Sequence, residues 1–273
     1  MRSQLEYKLV KTKHGQTGYV SLGSGQPLIM LVGYSGNLLH WNSELIYRLA
    51  EKFTVYLPDN RRVGLSESSN DLSMEGLAQD VVDFIEALEL NKPLLCGWSM
   101  GGIIAQALAY ERADLISGMV LIASQPDYSY TMGGLHTLVR NLREKPGREN
   151  REKLTELFFS ELPSIEFRKY LAKSILHIAG YVYPYNEHAQ QLQDLSVKNW
   201  LQQAERLDAL DLPVLITTAR NDMITKPEAS WYLHTKLKNS KLISYPTGGH
   251  FFIHRYAIEL ADEIEYVINF VSI

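Results

Sequence analysis

Gly97-Trp98-Ser99-Met100-Gly101 carries the clearest chemical content in this sequence. A serine hydroxyl is a poor nucleophile at neutral pH. It needs a base for its proton, a group to orient that base, and donors for the oxyanion it creates. Serine in G-x-S-x-G between a strand and a helix sits on a very tight turn. The residues two away on each side must be small, and the hydroxyl is lifted above the sheet. His250, in Thr247-Gly248-Gly249-His250-Phe251, is the candidate base, because it follows a glycine pair just past the last strand. His14, His40, His136, His177, His188, His234 and His254 lack that setting. Asp222, in Ala219-Arg220-Asn221-Asp222, is the candidate orienting acid. Asp127, after the preceding strand, is its rival, since its carboxylate could reach the same histidine. The Met100 N–H and an N–H from Gly33-Tyr34-Ser35-Gly36-Asn37, that of Tyr34, are the expected oxyanion donors. Trp98 and Met100 flank the nucleophile and either line an apolar pocket or pack in the core. Trp98 and Gly33 are the expected substrate contacts.

These residues need a frame to bring them together. Pro27–Val32, Phe53–Leu57, Pro93–Cys96, Met119–Ala123, Pro213–Thr218 and Lys241–Tyr245 are short apolar runs, as strands buried on both faces require. Tyr7–Val10 and Gly18–Leu22 alternate like a hairpin ahead of them. Helical periodicity marks Asn42–Ala50, Ser73–Glu89, the stretch after Ser99, and Ile253–Phe270. Strands alternating with helices predict a mostly parallel twisted sheet flanked by helices. The rhythm breaks after Pro126. Residues 127–209 lack a clear buried strand and read as helices at Leu135–Glu144, Arg151–Phe159, Ile165–His177 and Glu187–Arg206. The expected organisation is a core of residues 1–126 and 210–273 with a helical cap of residues 127–209 over the carboxyl ends of the strands, where ligands bind.

The chain has 273 residues, 21% charged and 45% hydrophobic, with a formal net charge of −4. That balance does not suggest nucleic acid as a partner. One cysteine, Cys96, allows no intrachain disulfide. No run approaches the roughly 20 apolar residues of a membrane span. The N-terminal residues alternate rather than forming a signal-peptide apolar run. A cytoplasmic enzyme is the expectation.

Together these motifs resemble the α/β-hydrolase family, from about Tyr7 to Phe270. The order Ser99, Asp222, His250 is the chain order of that family. Asp59-Asn60-Arg61-Arg62-Val63-Gly64-Leu65-Ser66 is similar to its D-x-R-G-x-G-x-S stretch, with Arg62 in place of a glycine. Val32-Gly33 stands where many members have His-Gly, which bears on the geometry of the oxyanion loop. Serine at position 99 sets the chain apart from the dehalogenase and epoxide hydrolase branches, which use a carboxylate nucleophile. The resemblance implies a serine carboxylic ester hydrolase acting through an acyl-enzyme, with no metal and no cofactor. The motifs are similar to those of pimeloyl-carrier-protein methyl ester esterases, enol-lactonases, C–C bond hydrolases and cofactor-free haloperoxidases. A ligand-binding sensor on the same fold is the non-enzymatic alternative. Two features of the insertion bear on substrate. Tyr181-Val182-Tyr183-Pro184-Tyr185 either shapes the site or holds the cap helices together. The charged run from Arg140 to Lys153 is either a solvated helix face or a landing site for an acidic carrier protein.

Overall fold

The computed structural model describes residues 5–71, 73–145, 147–179, 181, 187–200 and 204–271. The alternating N-terminal segments become β1 (Leu5–Glu6), β2 (Lys8–Thr12) and β3 (Gly15–Gly23), followed by the first buried strand, β4 (Gln26–Leu31). Asn42 caps α1 (Ser43–Leu49) by accepting from the Glu44 N–H at 2.8 Å, and β5 (Phe53–Pro58) follows. The short β6 (Glu67–Ser68) pairs with β3. Ser73 caps α2 (Met74–Ala87), its Oγ accepting from the Gly76 N–H at 3.0 Å. Then come β7 (Leu94–Trp98), α3 (Met100–Arg112) and β8 (Gly118–Ile122). The insertion contributes α4 (Leu135–Glu144), α5 (Arg148–Phe159), α6 (Ile165–Lys173), β9 (Ile178–Ala179), α7 (Glu187–Asn199) and α8 (Ala204–Asp208). The chain closes with β10 (Val214–Ala219), α9 (Pro227–Lys236), β11 (Ser240–Tyr245) and α10 (Ala257–Val271).

The main sheet runs β11-β10-β8-β7-β4-β5-β3-β2. The pairs from β11 to β5 are parallel, and β3 and β2 close the sheet antiparallel. β7, β8 and β10 are buried along their whole length, which explains their unbroken apolar runs. Alternation along β4 separates two cores. Leu28 and Met30 pack with Leu45 and Ile46 of α1 and Leu260 and Ile264 of α10. Ile29 and Leu31 face Val81 and Phe84 of α2 and Ile103 and Leu108 of α3. β4 has β5 on one side and β7 on the other, so the chain reverses its winding direction at β4. The carboxyl ends of β4 and β7 flank that switch point, where open α/β sheets bind ligands.

Between β8 and β10 the elements differ in several details from those expected. They include a two-residue strand, β9, paired in parallel with β1. α5 begins three residues early, at Arg148, and α6 stops at Lys173 with Ser174 as C-cap. The long helix expected over Glu187–Arg206 divides into α7 and α8, and residues 201–203 lie outside the described residues. At the other end, α10 starts at Ala257, because Gly249–His254 forms a separate 3₁₀ turn behind the left-handed Gly248 (φ 105°). No helix among the described residues is long and apolar enough to cross a membrane.

Glycines set the approach of α3 to the sheet. A Cβ on Gly101 would lie 2.0 Å from the carbonyl oxygen of Leu31 in β4, and one on Gly97 would lie 2.3 Å from the Gly101 oxygen. Gly101→Ala must therefore push α3 off β4. It is expected to cost about 3 kcal/mol in urea unfolding, outweighing the gain in helix propensity of about 1 kcal/mol. Gly133→Ala, where a Cβ meets nothing within 4 Å, is expected to stay within about 0.5 kcal/mol of wild type. Equal unfolding midpoints for the two variants would refute the close approach.

Candidate active site

Ser99 is the single residue between β7 and α3. Its backbone lies at φ 56° and ψ −118°, a conformation that side-chain-bearing residues rarely hold. The surroundings fix it there. The Ser99 N–H donates to the Ile122 oxygen at 2.8 Å, and the Ser99 carbonyl accepts from Ser124 Oγ at 3.0 Å and the Gly102 N–H at 2.9 Å. Met100 opens α3, so its N–H has no acceptor one turn back within the helix. Its side chain is buried in the core between the sheet and α2 and α3.

His250 is buried in the 3₁₀ turn after β11, with its Nδ1 2.8 Å from Asp222 Oδ2. The other Asp222 oxygen accepts from the Ile224 and Thr225 N–H groups at 2.8 and 3.0 Å, which locks the carboxylate toward the ring. Asn221 adds a second tie, accepting from the Gly249 N–H at 2.9 Å. Asp127 does not meet His250 Nδ1. Its carboxylate caps its own turn by accepting from the Ser129 N–H at 2.8 Å. Trp98 is both core and wall: it lines the pocket with Ser99, and its indole N–H donates to the His250 carbonyl at 3.2 Å.

The loop after β4 reaches Ser99 directly. A Cβ on Gly33 would lie 3.0 Å from Ser99 Cβ and 3.1 Å from the Trp98 carbonyl oxygen, so a side chain there would press its neighbours back by a few tenths of an ångström. Tyr34 lines the same pocket as Ser99. Without the histidine common at position 32, other groups hold the loop. The Val32 carbonyl accepts from Asn60 Nδ2 at 3.2 Å, and the Ser35 N–H donates to Gln193 Oε1 at 2.8 Å. Ser35 Oγ accepts from Arg143 of α4 at 2.5 Å and from Gln190 of α7.

The resulting pocket spans about 550 Å³ including its open mouth, with Leu135, Val139, Phe158, Ile224 and Phe251 as apolar wall. Ser35, His40, Arg143 and the two glutamines were not singled out from sequence. Arg143 did leave a trace there: Leu135, Val139 and Arg143 recur every four residues, on one helix face. The charged run around it divides. Arg140, Arg148 and Lys153 pair with Glu144, Glu152 and Glu149 one turn away, while Arg143 turns inward. Of the aromatic stretch at 181–185, Tyr181 is described and the rest lies outside the described residues. The Tyr181 hydroxyl donates to Asp59 at 2.8 Å, and its ring packs on Tyr7.

Residues 26–255 match the family model of the alpha/beta hydrolase fold. The chain belongs to that family. It is similar to the pimeloyl-[acyl-carrier protein] methyl ester esterase of Nitrosomonas europaea, 24% identical over 236 residues, 84% of this chain and 90% of that protein. It is 34% identical to the soluble epoxide hydrolase of Corynebacterium sp. over 109 residues, 40% of this chain and 38% of that protein. Among solved structures, an alpha/beta hydrolase fold protein from Chitinophaga pinensis superposes with a TM-score of 0.80 at 21% identity, over 97% of both chains.

The family-like stretch 59–66 is buttressed from within. Arg61 is buried, 2.6 Å from Asp80 and bonded to the carbonyls of Asn70, Asp71 and Gly76. Arg62, in the glycine position, has φ 63°, the left-handed conformation that favours glycine. Asp59 accepts from the hydroxyls of Tyr7 and Tyr181 and from the Leu38 N–H. Burial raises its pKa to about 6 against the lowering by those bonds. Two histidines near the pocket move the opposite way. Burial, then the charge of Arg143, lowers His40 to about 4. Burial among Trp98, Phe159 and Phe251, then His40, lowers His254 to about 3.

These shifts set how the hydrolase responds to acid. Each histidine stays neutral in the fold while its unfolded counterpart protonates below about 6.5. Its stabilisation is full above that pH and is lost as pH falls toward 4 and 3. Asp59 acts with opposite sign: its contribution is full below about 4 and lost as pH rises through about 6. At pH 5 two histidines oppose one carboxyl, so unfolding takes up a net of about one proton. Urea titrations should lose about 1.4 kcal/mol per pH unit there, and the slope should steepen in Asp59→Asn. Stability that rises on acidification from pH 6 to pH 5 would contradict this balance.

Proposed function

We propose that the hydrolase cleaves a small or medium carboxylic ester, or a lactone, through an acyl-enzyme on Ser99. The observation that carries this reading is the 2.8 Å contact between His250 and Asp222 beside a pocket whose wall includes Ser99. In this reading His250 Nε2 takes the Ser99 proton as Oγ bonds to the carbonyl carbon. Asp222 keeps the other ring proton on Nδ1 and stabilises the imidazolium. The N–H groups of Met100 and Tyr34 hold the oxyanion. Collapse of the tetrahedral intermediate breaks the bond to the alcohol oxygen, which receives the proton from His250. Water, deprotonated by His250, then attacks the acyl carbon, and the acid leaves as Ser99 regains its proton. No step uses a metal or cofactor.

Gly33 and Trp98 form the wall beside the reacting carbon, and residues 127–209 act as a cap on the core of 1–126 and 210–273. Support for the cap comes from Leu135, Val139, Arg143 and Phe158, which line the same pocket as Ser99. The esterase from Nitrosomonas europaea, similar along 90% of its length, supports ester chemistry. Likeness to the epoxide hydrolase covers less than half of either chain, and Ser99 supplies a hydroxyl where that branch uses a carboxylate. The carrier-protein ester in the name of the first relative favours a second reading, an acidic carrier at the α4–α5 surface. Cys96, a buried free thiol, fits a cytoplasmic setting.

Hydrolysis of aryl esters of increasing acyl length tests the chemistry and sizes the pocket together. Ser99→Ala should abolish turnover. Asp222→Asn should lower kcat about ten-thousand-fold, as loss of the correct histidine tautomer does elsewhere. Asp127→Asn should stay within a few-fold of wild type. Turnover by Ser99→Ala, or a loss in Asp127→Asn as large as in Asp222→Asn, would overturn the reading.

A further inference from the structure

Arg143 projects from α4 into the pocket that holds Ser99, and it brings a full positive charge there. A guanidinium offers five N–H donors and stays charged at any working pH. Among the described residues it makes one hydrogen bond, to the neutral Ser35 Oγ, and no carboxylate lies within ion-pair distance of it. Its neighbour Glu144 is engaged with Arg140 on the outer face of α4. Among the described residues the pocket lining contains no aspartate or glutamate, and its other polar groups are backbone, hydroxyl and imidazole groups. His40, in the same lining, feels the charge of Arg143 and stays neutral, so it does not add a second cation. The remaining wall is aliphatic or aromatic.

A partly buried cation without a counter-charge is costly, and an anion arriving beside it recovers that cost through charge-assisted hydrogen bonds. One planar guanidinium matches one planar carboxylate in charge and geometry, whereas a phosphate monoester would bring about two negative charges to a single cation. The apolar walls suit the methylene groups between the two polar ends. Resting on the ester hydrolase reading above, we infer that Arg143 is a specificity-determining residue selecting esters that carry a free carboxylate, such as half-esters or lactones of dicarboxylic acids.

The test compares monomethyl esters of linear dicarboxylic acids, from succinate to suberate, with methyl esters of monocarboxylic acids of matched length. The readout is the ratio of kcat/KM within each matched pair, which cancels losses from folding. Wild type should favour the half-ester by roughly tenfold or more at one or more lengths. Arg143→Gln should bring the ratio to about one or below, and Arg143→Lys should keep part of the preference. A wild-type ratio of one or less at every length, or an unchanged ratio in Arg143→Gln, would overturn the inference while leaving ester hydrolysis intact. A second arm measures calorimetric binding of the free dicarboxylates to Ser99→Ala and to Ser99→Ala combined with Arg143→Gln. Binding that requires Arg143, without turnover of any ester, would support the anion subsite and reject the ester reading. Absence of binding in both proteins, together with absence of preference, would reject the subsite.

Discussion

A side-chain-bearing residue at φ 56° and ψ −118° costs of order 1–3 kcal/mol, and the fold meets that cost at Ser99 by constraining its neighbours. β8 supplies the Ile122 carbonyl that holds the Ser99 N–H, and Ser124 holds the Ser99 carbonyl. Gly97 and Gly101 remove the side chains that would otherwise drive α3 away from β7 and β4. The turn therefore depends on strands on both sides of β7, and its strain is supported by the centre of the sheet rather than by a loop. The same arrangement brings the glycine loop after β4 against Ser99, because β4 is the hydrogen-bonded neighbour of β7.

The second dependence runs from the insertion back to that loop. Arg143 and Gln190 converge on Ser35 Oγ, and Gln193 takes the Ser35 N–H. α4, which lines the pocket, and α7 thus hold the backbone beside the candidate nucleophile. Tyr181 adds a tie from the insertion to Asp59, in the loop after β5. Pocket shape and loop geometry are coupled through these polar contacts, so a change of Arg143 would act on both.

Most of the frame was legible in the sequence because buried parallel strands leave unbroken apolar runs. β7, β8 and β10 are buried at every residue, and their expected and observed spans agree within two residues at each end. β6 and β9 are two residues long, too short to leave a periodic signal. Asp222 and Asp127 could not be separated from sequence, because both follow neighbouring parallel strands, β10 and β8. What separates them is local hydrogen bonding: Asp127 turns back to cap Ser129, while Ile224 and Thr225 hold Asp222 facing His250. Arg143 was hidden in a run of charges whose other members pair along exposed helix faces. Its inward direction shows in the four-residue spacing from Leu135 and Val139, a pattern that an arginine masks because it reads as polar.

The claim that Ser99 is the nucleophile is tested most directly by covalent trapping. After incubation with an alkyl fluorophosphonate, the intact mass should rise by one phosphonyl group, with peptide mapping placing it on Ser99. Ser99→Ala should gain no mass. A label on another residue, or equal labelling of Ser99→Ala, would contradict the account.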